Sequence, residues 1–168
     1  MTTLLDDAFA HHLWATERLI DACSGLSDEQ LRTPCPGTFG PILDTLRHLV
    51  SSDGFYLSFF PGIPDIPAIE EEDTSLTLAA LRAAMVANGA AWKAVLADPP
   101  DPTAVSVEHG DGWDFHAPFT LRLAQVVHHG TDHRSQVCTA LTHLGLEPPE
   151  IDLWDFGEAT GRTRVDRR

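Results

Sequence analysis

The 168-residue chain is poor in basic residues, in cysteine and in long apolar runs. It carries 11 Lys and Arg against 25 Asp and Glu, a formal net charge of −14. Binding to nucleic-acid phosphates needs a basic surface, so no nucleic-acid partner is expected. An anionic membrane surface is disfavoured for the same reason. No stretch is apolar over the ~20 residues that a spanning helix requires. Met1 to Asp7 has neither the basic region nor the apolar run of a secretory signal. The three cysteines, Cys23, Cys35 and Cys138, form no metal-type spacing and read as free thiols of a reducing compartment. Cys138, the one nearest the histidine-rich stretch described below, is the alternative as a nucleophile. A cytoplasmic protein is the expectation. There is no internal repeat and no low-complexity tract.

What remains is a globular composition, 43% hydrophobic and 21% charged. One domain over residues 1–168 is expected at this length, with a basic, frayed tail over 160–168. Apolar residues at helical spacing predict a first helix from Leu4 to Cys23, with Asp6 and Asp7 in its first turn. Ser27 and Gln30 form a capping-box pattern for a short turn. A second long helix is predicted from Pro41, as first helical residue, to about Phe60. Leu43, Leu46, Val50 and Leu57 share one side of it, and Thr45, His48, Ser52, Phe55 and Phe59 the other. The run Glu70 to Asp73 reads as a solvated loop. Thr74 or Ser75 is expected to cap a third helix ending near Leu96. Residues 104–118 alternate around Gly110-Asp111-Gly112 and predict a hairpin packed on the helices through Trp113 and Phe115. The last long helix runs from Thr120 to about Leu144, closed by Gly145. The expected fold is all-α, a four-helix bundle with a small β-hairpin inserted before the last long helix.

Nine histidines are present, and four of them lie on that last helix. His129 and His133 are four residues apart, which stacks their rings on one helix face, in a row with Val126 and Val137. Two imidazoles on an apolar row need polar partners, and a shared divalent metal would serve both. Hydrogen-bonded core histidines fit the spacing equally well. His128 sits off that row. For a third ligand, His48 on the second long helix is best placed, with His11 and His12 as competitors.

The stretch His129-Gly130-Thr131-Asp132-His133-Arg134-Ser135-Gln136-Val137, together with His48-Leu49, resembles the DinB/YfiT-like superfamily. Helix lengths, the Trp14-containing first helix and the hairpin extend the resemblance over nearly the whole chain. The family usually reads N-H-x-x-x-H-R-G-Q here. This chain has His128 for the asparagine and Ser135 for the glycine, and neither change touches a ligand. The resemblance implies a bundle, often a homodimer, with one metal held by three histidines that carry over to His48, His129 and His133. Relatives in the superfamily include thiol S-transferases and a maleylpyruvate isomerase that use a low-molecular-weight thiol. A metal-dependent thiol S-transferase or hydrolase acting on a small-molecule substrate is therefore implied. A non-catalytic, metal-braced bundle or a stress-response binding protein is the competing class.

Imidazole suits zinc, nickel, iron and copper alike; zinc or nickel is the first expectation, with iron or manganese as alternatives. The Ala-, Arg- and Asp-rich composition is compatible with mycothiol as the thiol. Asp132, Asp44 and His12 are candidates to orient the imidazoles, although exposed helix carboxylates explain the two aspartates equally well. Arg134 offers a bidentate carboxylate site, but an ion pair tying the last helix to a neighbour is the favoured reading.

Overall fold

The computed structural model describes residues 2–63 and 65–166. Four long helices carry the core: α1 (Leu4–Cys23), α3 (Ile42–Leu57), α4 (Leu78–Ala97) and α5 (Phe119–His143), with short helices α2 (Asp28–Arg32) and α6 (Leu153–Ala159). An antiparallel hairpin, β1 (Val105–Gly110) and β2 (Trp113–Pro118), precedes α5. The expected bundle with its inserted hairpin is what the chain forms. Among the described residues no helix is long and apolar enough to cross a membrane.

Around the bundle, α1 packs on α4, α4 on α3, α3 on α5 and α5 on α1. The diagonals are therefore α1 with α3 and α4 with α5. Two of the three connections between long helices cross a diagonal, and those two carry α2 and the hairpin. The core between the helices is aliphatic around Trp92, with Leu19, Ile20, Leu46, Val50, Leu57, Leu81 and Met85 buried.

Local signals explain most boundaries. Thr3 and Asp6 close a capping box at α1, and Ser27 and Gln30 close another at α2. Gly145, with φ 75°, ends α5, and the Leu146 N–H returns to Leu141 O at 3.0 Å. Two boundaries differ from the sequence expectation. Pro41 is the residue before α3, not its first member; its carbonyl accepts from Thr45 N–H. The cap of α4 is Thr77, because Ser75 is already engaged by the Asp73 carboxylate through both its N–H and its hydroxyl. The tail expected to fray from residue 160 is held as far as Thr163, whose N–H donates to Gly157 O. Arg162 also reaches Asp7 of α1 at 2.6 Å. Arg167 and Arg168 lie outside the described residues.

The hairpin docks differently from expectation. Trp113 and Phe115 stay half exposed, at 52% and 51%. Ser106 and Ala117, a directly paired couple, are buried instead. Arg122 of α5 is the anchor: its Nε donates to Ser106 Oγ and its guanidinium lies 3.6 Å from the centre of the Phe59 ring. Two small residues let the backbone of the hairpin approach the helix, and a buried cation then ties it down.

Candidate metal centre

His48 from α3 and His129 and His133 from α5 converge on the seam between these helices. One ring nitrogen of each lies within 4.8 Å of the others. The ring centres are 5.0 Å apart for His48 and His129, 4.7 Å for His48 and His133, and 4.4 Å for His129 and His133. His128 is exposed, as its place off the row implies. His11 is elsewhere: its Nε2 meets the carbonyl of Ile151. His12 is buried behind the seam and is not among the three that converge.

The proton positions follow from the partners. His133 Nδ1 lies 3.0 Å from Gln136 Oε1, which accepts, so Nδ1 carries the hydrogen and Nε2 keeps its lone pair. The same amide oxygen accepts the Phe39 N–H at 3.0 Å, which ties the Pro-rich loop to the site. His48 Nδ1 is 2.9 Å from Glu71 Oε2, in ion-pair range but with no partner in hydrogen-bonding geometry. Glu71 therefore favours the hydrogen on Nδ1 and the lone pair on Nε2. That Nε2 faces Nε2 of His129 at 3.1 Å. Three nitrogens on a tetrahedral ion at ~2.0–2.1 Å would stand about 3.3 Å apart, so the pair is close to ligand spacing. Phe39 stacks on His48 with ring centres 4.1 Å apart and covers one face.

Electrostatics favour the neutral form of His129 and His133. Burial, then the proximity of His133 and His48, lowers the pKa of His129 to about 4. Burial and the neighbouring His48 lower that of His133. Neutral imidazole is the ligand form.

Asp44 and Asp132, read from the sequence as carboxylates for the imidazoles, do not reach them. Asp44 pairs with Arg47 at 2.8 Å, and Asp132 is exposed, with no hydrogen bond to a ligand ring. Glu71 and Gln136 occupy those places. Gln136 follows His133 by three residues, the spacing of helical neighbours, and that signal was available in the sequence. Glu71 comes from a loop and had none.

Arg134 does tie α5 to α1, but through a histidine and not through a carboxylate. Its Nη1 donates to His12 Nδ1 at 2.9 Å, and His12 Nε2 meets Asp53 Oδ1 at 3.0 Å. Trp92 Nε1 donates to the other oxygen of Asp53, also at 3.0 Å. All four residues are buried. The chain Arg134, His12, Asp53 and Trp92 links all four long helices just behind the triad. Gly130 makes room for it, since a Cβ there would overlap the His12 ring and come within 2.8 Å of Arg134 Nη1. Burial depresses Arg134 to about 10, still cationic at neutral pH. The thiols lie outside this chemistry: burial pushes Cys23 up to about 12 and raises Cys138 as well, so neither offers a ready thiolate.

With this geometry in view, the sequence comparisons decide the family. The DinB family model matches residues 1–165. The chain belongs to the DinB family. The fold of this DinB protein is also that of a DinB-like protein from Bacillus cereus ATCC 10987, known from its crystal structure. The TM-score is 0.69 at 18% identity, over 90% of this chain and 99% of that one. No curated protein sequence matches the chain.

Proposed function

We propose that His48, His129 and His133 of this DinB protein hold one divalent transition metal ion, zinc or nickel in the first place. We further propose that the protein is a metal-dependent enzyme activating a small thiol or water. The observation that carries this is the convergence of three imidazole nitrogens from two helices within 4.8 Å. Three neutral ligands leave the charge of a dication uncompensated and coordination positions open, the composition of a catalytic site and not of a closed structural one. Such an ion, when bound, lowers the pKa of a coordinated thiol or water and so supplies a nucleophile near neutral pH.

The chain's own residues would do the rest. Gln136 fixes the ring of His133 and its tautomer, and Glu71 biases His48 in the same sense. Phe39 shields one face of His48 from water. The buried Arg134–His12–Asp53 chain holds the register of α5 against α1 and α3. A second reading has one specific observation behind it: the ligands join α3 to α5, so an ion there would also brace the bundle without any chemistry.

The test begins with metal content and melting temperature. Purified protein is expected to carry close to one ion per chain, and zinc or nickel added to metal-free protein should raise the Tm. At a hundredfold excess over Kd, binding adds ~2.7 kcal/mol of stability. For a chain of this size that is roughly 5–10 °C. His48→Ala, His129→Ala and His133→Ala should each abolish the rise. No stoichiometric metal and no shift would refute the proposal. Thiol transfer to an electrophile, assayed with mycothiol, bacillithiol, glutathione and cysteine, and hydrolysis assays then separate enzyme from brace.

A further inference from the structure

The seam that holds the triad continues toward the hairpin. On α5, Gln125 lies one turn, about 6 Å, before His129, and Leu121 one turn earlier still. On α3, Phe55 and Tyr56 lie two turns after His48. Between these residues and the hairpin is a cavity of about 360 Å³, whose lining includes Phe55, Tyr56, Phe115, Leu121, Arg122 and Gln125. Its volume is at the lower end of the ~300–1,000 Å³ usual for small-molecule sites. The wall is mostly aromatic and aliphatic, with one cation, Arg122, and one anion, Glu108.

Tyr56 connects the cavity to the histidines. Its ring stands edge-on to His129, with centres 5.6 Å apart, and its hydroxyl accepts a hydrogen bond from Gln125 Nε2 at 3.3 Å. A molecule in the cavity is therefore one side chain away from a candidate ligand.

Arg122 says what kind of molecule. It is 5% exposed, and its Nε is taken by Ser106. Neither terminal nitrogen has a hydrogen-bonded acceptor among the described residues. Nη2 is fully buried without a partner, and Nη1 is 3.7 Å from Glu108 Oε2, an ion-pair distance only. The outer edge of a guanidinium carries two parallel N–H groups that match the two oxygens of a carboxylate, and here Glu108 stands at that edge. Glu108 is 28% exposed on the hairpin and makes no hydrogen bond to Arg122, so a ligand carboxylate would take its place by turning it toward solvent. The rings of Phe55, Tyr56 and Phe115 favour a flat, unsaturated body for that ligand.

We infer that this cavity is a binding site for a small aromatic carboxylate, anchored on Arg122 with its ring system among Phe55, Tyr56 and Phe115. Its meaning as a substrate site rests on the proposed metal centre beside it, whereas the binding itself does not.

The experiment uses 2-naphthoate as probe and the uncharged 2-naphthamide as its control. Each is titrated by calorimetry into metal-free and zinc-loaded protein, with NMR mapping of perturbed residues. The expected result is saturable naphthoate binding in both forms, with perturbations centred on Tyr56, Phe115 and Gln125. Arg122→Met should weaken naphthoate at least about tenfold, since a charge-assisted hydrogen bond is worth more than one decade, while shifting naphthamide little. Arg122→Lys should recover part of the loss. In case Arg122→Met unfolds the hairpin, Leu121→Trp fills the cavity from its rim; it should block both ligands and leave zinc affinity unchanged. The inference is overturned if folded protein shows no saturable naphthoate binding in either form, or if Leu121→Trp leaves binding intact. It is also overturned if naphthoate and naphthamide respond alike to Arg122→Met. Naphthoate binding to a chain that takes up no zinc would support the site and refute the metal centre.

Discussion

Replacing Gly130 by alanine sets two effects of opposite sign against each other. Gly130 sits inside α5 without a positive φ, so its backbone needs no glycine. Helix propensity alone predicts that alanine stabilises by ~1 kcal/mol. The surroundings predict the reverse. A Cβ would overlap the His12 ring and crowd Arg134 Nη1 at 2.8 Å, and both side chains are buried with no room to retreat. Overpacking of this kind costs ~1–3 kcal/mol. Separating Arg134 from His12 adds the ~1.5–3 kcal/mol of a hydrogen bond to a charged group. The net expectation is a loss of roughly 2–4 kcal/mol, or roughly 5–15 °C in Tm for a chain of this length. Gly54 is the matched control. It is also helical, in α3, but its added Cβ would meet only ordinary contacts, Ile66 at 3.7 Å and Asn88 at 3.9 Å. Gly54→Ala should stabilise by up to ~1 kcal/mol. Urea and thermal denaturation of metal-free protein measure both. Because Gly130 directly follows His129, and Arg134 directly follows His133, Gly130→Ala should also weaken zinc binding, read by competition with a chelator. A Gly130→Ala protein as stable as the parent would refute the claim that the His12–Arg134 contact sets the seat of α5.

Gln136→Ala frees the His133 ring and the Phe39 loop together and should cost about 10–100-fold in metal affinity; an unchanged affinity would remove Gln136 from the site. Stability of the metal-free protein should fall as pH drops from 6.5 toward 4, because the unfolded chain protonates His129 at its ordinary value while the folded chain resists until about 4. The full shift is worth ~3 kcal/mol, which partial solvent exposure reduces to about 1–2 kcal/mol. In urea titrations His129→Gln should flatten this slope relative to the parent, and equal slopes would contradict it. Cys23, buried and with its thiol pushed up to about 12, should resist a thiol-reactive dye at pH 8 in the folded protein and react fully in urea.

The bundle, the hairpin, the Gly145 stop and the pairing of His129 with His133 were legible in the sequence. Each depends on spacings of a few residues along one element, where helical or strand geometry alone determines which side chains are neighbours. His48 was the best-placed third ligand by its position on another long helix, and the family resemblance chose it over His11 and His12, although it lies 81 positions from His129. Other features were decided only when the helices packed. Glu71 reached His48 from a loop that read as solvated, and Arg134 found His12 and not an acid. Asp53, a helix aspartate like any other in the sequence, became the buried end of a chain through all four long helices. Arg122 drew the hairpin down by its small residues and left its bulky ones at the surface. The physical reason is the same in each case. A buried polar group must find its partner among whatever the packing brings within about 3 Å, and that set is a property of the folded volume and not of the order of residues along the chain.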